Sequence, residues 1–270
     1  MTASVDVDAY LGRIGWTGAA TRPTFRTLAG LVRAHMSNIP FENLDVLLGR
    51  RVGLDIEGLQ QKLVHARRGG YCFEQATLFA AVLEAIGFAP VRHTARVVVF
   101  TPRAASPRSH MFLTVPLPEG TFIVDPGFGT FAPRVPIPLI DGKRASIDQE
   151  THWMTRDGDD WKLQTQTGDK VIDCWVSTLE RDNLVDFDVG NHYTSTHPAS
   201  PFVNRIMMRA LTADGRVTVM NRDVTIWRGN SPQAIQLADR VALRALLIKY
   251  FGFDLPDVER LRVPSIPEWT

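Results

Sequence analysis

The sequence predicts an α+β fold in three successive parts: a helical unit over residues 1–86, a β-rich unit over 87–190 and a mixed α/β unit over 191–270. Three observations carry this division. Apolar residues recur at helical spacing as far as about residue 86. From about residue 90 the chain changes to short β-branched runs separated by turn residues. Beyond 191, strand-like runs give way to one more helical run. A chain of 270 residues, 44% hydrophobic and 22% charged, has enough apolar material to build cores for these units.

The helical unit starts where Asp6 or Asp8 can cap a short helix through Tyr10, Leu11 and Ile14. Pro23 opens a longer segment with Phe25, Leu28, Leu31, Val32 and His35 on one face, ending near Pro40. Asp55 can cap a third helix, Ile56 to Ala66, which delivers the chain to Gly69-Gly70. Those glycines permit a tight turn and close backbone approach. A helix then begins at about Phe73, with Leu78, Phe79, Val82, Leu83 and Ile86 buried and Gly87 as its stop. Cys72 stands at its start, where unpaired N–H groups and the positive dipole end favour negative charge on sulfur and on any oxyanion beside it.

In the β unit, residues 91–100 read as a strand, followed by His110–Val115 and Thr121–Asp125 around the loop Pro116-Leu117-Pro118-Glu119-Gly120. Centring that hairpin on Leu117-Pro118 sets Phe112 opposite Ile123 and His110 opposite Asp125. Further strands are expected at Trp153–Thr155, Trp161–Gln166 and Val171–Val176, with turns at Asp157–Asp160 and Thr167–Lys170. A small barrel or a sandwich satisfies this spacing. In the last unit, Arg205–Leu211, Val217–Asn221 and Asp223–Trp227 read as strands, and Ser231-Pro232 as the start of a helix to about Phe251.

Charge excludes some functions. Lys+Arg 30 against Asp+Glu 29 gives a net charge of +1, no footprint for nucleic acid or an anionic membrane. Arg67-Arg68 is a solvated surface pair or a phosphate contact. Two cysteines make no disulfide framework and no CxxC zinc pattern, so no metal is expected. With an acidic amino terminus, no apolar signal core and no stretch of membrane-spanning length, the expected location is cytoplasmic.

Cys72, His110 and Asp125 are the residue types of nucleophilic acyl transfer: a thiolate, an imidazole that moves the proton, and a carboxylate that orients it. The competing reading is a small buried cysteine, a satisfied strand histidine and a turn-starting aspartate. Gly127–Ala132 formally matches a dinucleotide fingerprint, but Pro133, Pro136 and Pro138 forbid the helix that should follow. It reads instead as a loop that lets backbone approach a ligand, lined by Phe128. Thr194–Phe202 reads as a second loop, and Cys174 as a structural strand residue.

Taken together, Pro40-Phe41-Glu42-Asn43-Leu44, Arg68-Gly69-Gly70-Tyr71-Cys72-Phe73-Glu74-Gln75, the strand headed by His110, Asp125-Pro126-Gly127-Phe128-Gly129 and the Ser195–Phe202 loop resemble the arylamine N-acetyltransferases over essentially the whole chain. The resemblance implies a helical bundle, a β-barrel and an α/β lid, with a core related to papain-like cysteine proteases. It implies a ping-pong reaction in which Cys72 takes acetyl from acetyl-CoA and passes it to an arylamine or arylhydrazine, with His110 and Asp125 completing the triad. It assigns Phe41, Tyr71, Val97, Phe128 and Phe202 to the acceptor pocket, and Gly127, Gly129, Thr194, Ser195 and Thr196 to coenzyme A. Ala76 and Pro126 depart from the family's usual Asn and Val. A cysteine hydrolase and an inactive ligand-binding homologue are the alternative functions, and a homo-oligomer is compatible with the sequence.

Overall fold

The computed structural model describes residues 4–18, 22–148, 150–229 and 231–269. Local chemistry sets the first helices. Asp6 accepts from Ala9 N at 2.9 Å and caps α1 (Val7–Arg13), while the Thr24 side chain caps α2 (Phe25–Asn38). After the single turn α3 (Leu44–Leu47), Asp55 caps α4 (Ile56–Leu59), which runs on as a π-helical turn to His65. The stripe of α2 (Leu28, Leu31, Val32, Met36) and Leu59 and Leu63 pack with Leu78, Phe79, Val82 and Leu83 of α5 (Cys72–Ala85) in one core.

The Gly69-Gly70 step needs glycine for space, not for its dihedrals, since neither has a positive φ; Arg67 carries the left-handed one, φ 54°. A Cβ on Gly69 would run into the Pro40 carbonyl, and one on Gly70 would lie 2.8 Å from Glu74 Oε2. This closeness lets Glu42 N and Gly70 N join the two segments by backbone hydrogen bonds of 3.2 Å each.

An eight-stranded antiparallel sheet follows, in the order β4-β3-β2-β1-β8-β7-β6-β5. Its strands are β1 (Val91–Val97), β2 (Arg108–Leu117), β3 (Gly120–Val124), β4 (Ile137–Pro138), β5 (Arg144–Ile147), β6 (Glu150–Asp157), β7 (Asp160–Thr167) and β8 (Lys170–Ser177). The end strands β4 and β5 are consecutive in the chain, and β4 touches both β5 and β6, so the sheet curls into a nearly closed barrel. Its inner core holds Phe112, Ile123, Met154, Leu163, Cys174 and Trp175. The expected strand over 91–100 stops at Val97.

The hairpin register differs from expectation by two residues. Leu117 pairs with Gly120, Thr114 with Ile123 and Leu113 with Val124. Gly120 has φ 137°, a conformation glycine alone adopts without strain, and this lets the strands pair up to a two-residue turn at Pro118-Glu119. An even shift keeps every side chain on its face. His110 and Asp125 therefore still face each other, diagonally and not directly opposed.

α6 (Leu184–Thr196) packs on β2, and the turn α7 (Pro201–Asn204) follows it. The expected Thr194–Phe202 loop is thus mostly helical, capped at Ser200. A second sheet, β12-β11-β10-β9, is built from β9 (Met207–Thr212), β10 (Gly215–Met220), β11 (Asp223–Arg228) and β12 (Ser231–Gln236). Ser231-Pro232 begins this edge strand and not a helix: Arg228 pairs with Ser231 and Trp227 with Pro232. Proline is tolerated because the edge leaves its missing N–H without consequence. The helix, α8 (Arg240–Leu246), starts later, where Asp239 accepts from Ala242 N at 2.8 Å, and continues as a π-helical turn to Phe251. No helix among the described residues is long and apolar enough to cross a membrane.

Candidate active site

Cys72 is the first residue of the 14-residue α5 and is 3% exposed. The helix start is held by Tyr71 N donating to Glu74 Oε2 at 3.1 Å. Glu74 is buried; burial raises its carboxyl, and Lys62 at 2.6 Å counters only part of that. Beneath it, Arg68 donates to Glu42 Oε1 through Nε at 3.0 Å and Nη2 at 2.6 Å, and reaches Asp45 at 3.2 Å. Arg68 is therefore neither a solvated charge nor a phosphate contact. It is a buried strut under the loop that presents Cys72, with only Arg67 exposed.

From β2, His110 places its ring beside Cys72. Its Nε2 lies 2.8 Å from Asp125 Oδ2, and the Cys72 side chain is near enough to bear on the charge of the same imidazole. Cys72 Sγ also approaches the Ser109 carbonyl at 3.8 Å. Burial opposes a charge on His110, but the Asp125 carboxylate and then the Cys72 side chain outweigh it and push the imidazole up to about 10. The three side chains, which lie 38 and 15 residues apart in the chain, converge in one buried cluster. A charged imidazole against a sulfur at a helix N-terminus is the arrangement that generates a nucleophilic thiolate with a general acid beside it.

Gly127, two residues after Asp125, lies flat against Cys72: a Cβ there would sit 2.6 Å from Cys72 Cα. A Cβ on Gly129 would lie 3.3 Å from the Phe41 ring, and the Gly129 carbonyl accepts from the buried Arg209 Nη1 at 2.7 Å. Aromatic rings gather around this point. Phe202 lies 6.1 Å from Phe41 and 5.4 Å from Tyr71 between centroids, and Phe128 stands edge-on to His110 at 4.9 Å. Tyr71 is fully buried, its hydroxyl bonded to Asn191 of α6. Val97 ends β1 half-buried, opposite Trp175.

The remaining predicted residues differ in access. Thr194 is 1% exposed, and its hydroxyl is spent on the Gly190 carbonyl at 2.8 Å and Ser109 at 3.4 Å. It thereby braces the carbonyl that also meets Cys72. Ser195 is half-buried and donates to Asn191 O at 2.8 Å; Thr196 is exposed and donates to His192 O at 2.6 Å.

The amino-acid pattern matches a family model described as N-acetyltransferase over residues 24–260. The arylamine N-acetyltransferase of Mycolicibacterium smegmatis is 36% identical over 260 residues, spanning 94% of both chains. The chain belongs to the arylamine N-acetyltransferase family. The Escherichia coli arylamine N-acetyltransferase is likewise 36% identical, over 93% of this chain and 89% of its own. In three dimensions this arylamine N-acetyltransferase superposes on the Mycobacterium marinum enzyme with a TM-score of 0.89, at 36% identity and 94% coverage of each. The M. marinum enzyme has also been solved in complex with CoA, and that structure matches with a TM-score of 0.88 over 94% of each chain.

Two contributors to the site have no counterpart in the sequence reading. Arg209 of β9 exchanges backbone hydrogen bonds of 2.8 and 2.9 Å with Phe41, so it joins Phe41 to the Gly129 loop. Trp175 of β8 donates its indole N–H to Asp125 Oδ2 at 2.8 Å. Both contacts are long-range, and neither residue lies in a recognisable motif.

Proposed function

We propose that this enzyme transfers acetyl from acetyl-CoA to arylamines and arylhydrazines by a ping-pong reaction through an acetyl-Cys72 intermediate. The observation that carries this is the buried Cys72–His110–Asp125 cluster at the start of α5. Cys72 attacks the thioester carbonyl, and the oxyanion meets the free N–H groups of the helix start. The C–S bond to CoA breaks as His110 delivers its proton to the departing sulfur. The acceptor nitrogen then attacks acetyl-Cys72, His110 takes the amine proton, and the thiolate leaves. Asp125 holds the imidazole in orientation throughout.

Phe41, Tyr71, Val97, Phe128 and Phe202 are the acceptor-side residues of this reading. A flat aromatic amine fits rings better than water does, which limits hydrolysis of the acyl-enzyme. Gly127 and Gly129 offer backbone to CoA; Ser195 and Thr196 are reachable from outside, and Thr194 contributes by holding Ser109. The CoA complex of the M. marinum relative supports the donor assignment. The reading includes a lid role for residues 191–270 over units 1–86 and 87–190, a core related to papain-like proteases, and a cytoplasmic location.

The test is intact-mass measurement after incubation with acetyl-CoA and no acceptor. One added acetyl group mapping to Cys72, discharged by an arylamine as N-acetyl product, is expected. Product formation without that adduct, or surviving in Cys72→Ala, overturns the covalent route.

A further inference from the structure

Asp125 is completely buried and receives both of its hydrogen bonds on one oxygen. Oδ2 accepts from His110 Nε2 and from Trp175 Nε1, each at 2.8 Å. Oδ1 is buried too and has no hydrogen-bond partner among the described residues. A carboxylate torsion is broad, so without a second donor the plane of Asp125 is free to turn away from His110. We propose that Trp175 is a positioning residue for the reaction: its indole N–H, sharing one oxygen with His110, fixes the orientation of the Asp125 carboxylate against the imidazole.

The indole is fixed well enough to do this. Trp175 is fully buried, sits on β8 opposite Val97 and Leu163, and stacks on Phe112 at 4.2 Å and 27°. Phe112 in turn stacks on His110 at 6.4 Å and 11°. One ring column thus registers donor, imidazole and carboxylate together. With both N–H groups on one oxygen, rotating the carboxylate out of this plane would cost both hydrogen bonds at once. Besides His110 and Cys72, the titratable groups bearing on Asp125 are Cys174, whose thiol burial pushes up, and His152, which burial lowers to about 4. Both are neutral across the assay range, which leaves the indole as the second group orienting the carboxylate.

The inference rests on the Cys72–His110–Asp125 reading, and the experiment separates the two. Trp175→Phe keeps a ring against Phe112 and deletes the donor. The measurements are the pH profile of Cys72 alkylation by iodoacetamide, kcat and KM with an arylamine, and the same substitution in an Asp125→Asn background. The wild type should alkylate faster at neutral pH than a free cysteine. In Trp175→Phe the acid limb should move up by about one pH unit and kcat should fall ~10- to 100-fold with KM within about twofold. In Asp125→Asn the added substitution should cost less than about threefold. Where the Phe variant unfolds, benzothienylalanine at position 175, which replaces the N–H with sulfur in the same two-ring shape, gives the same readouts. An unchanged acid limb and kcat, whatever the thermal stability, overturns the role of Trp175 alone. A wild-type Cys72 that alkylates like a free thiol overturns the triad reading and this inference with it.

Discussion

Replacing Gly127 by alanine probes the tightest constraint at the site. Its Cβ would fall 2.6 Å from Cys72 Cα, 3.2 Å from the Cys72 carbonyl oxygen and 3.3 Å from the Cys72 Cβ. Ordinary contact begins near 3.4 Å, so the two backbones must separate by about 0.8 Å, the difference between 3.4 and 2.6. Neither side yields easily. Cys72 belongs to a 14-residue helix, and Arg209 ties the loop through Gly129 O at 2.7 Å and Ala132 O at 3.3 Å. A misplacement near 1 Å of a reacting group costs on the order of 100-fold, or about 3 kcal/mol of barrier. Overpacking of this kind costs roughly 1–3 kcal/mol in stability, a fall of roughly 2–10 °C in Tm for a chain of this size. Steady-state acetylation of an arylamine, thermal unfolding and the rate of Cys72 alkylation read all three effects. Gly12→Ala on α1, where an added Cβ meets nothing within 4 Å, is the control and should leave kcat unchanged. A Gly127→Ala enzyme within about threefold of wild-type kcat/KM would refute the argument that this glycine exists to admit the nucleophile.

Two further outcomes follow from the same geometry. Asp125→Asn should lower kcat by roughly 10³- to 10⁴-fold, since an amide can present its own N–H to Nε2 and spoil the imidazole's tautomer; a near-full rate would mean that another group orients His110. On stability, His35 and His152 are lowered by burial to about 4 from an unfolded value of 6.5. Each therefore adds stability above pH 6.5 that is lost as pH falls through 4, on the order of 3 kcal/mol apiece. His110, raised to about 10, acts oppositely: its contribution is complete below pH 6.5 and is lost as pH rises toward 10. Urea unfolding of wild type and His35→Gln between pH 7 and 4 measures the acid arm, and an identical pH slope in the two proteins would contradict it.

Legibility varied with the range of the interactions involved. Capping by Asp6 and Asp55 was readable because donor and acceptor lie three residues apart. The pairing of His110 with Asp125 was readable through a hairpin, and survived a misplaced turn because a two-residue shift preserves the face. Ser231-Pro232 misled because the same dipeptide suits a helix start and an exposed edge strand, and only pairing with Trp227 and Arg228 decides between them. Arg68 misled in the other direction: Glu42 and Asp45 lie more than 20 residues away, so nothing local marked it as buried.

Residue types, helix starts and strand alternation, which depend on neighbours along the chain, already specified a thiol at a helix N-terminus, an imidazole and carboxylate on one face, and the family they belong to. Packing between segments far apart in the chain decided the rest. It brought Trp175 to Asp125 and Arg209 to Phe41 and the Gly129 loop, contacts spanning 50 to 168 residues that carry no local signature. The physical reason is that a hydrogen bond between distant segments depends on where packing carries each backbone, and no short stretch of sequence encodes that position.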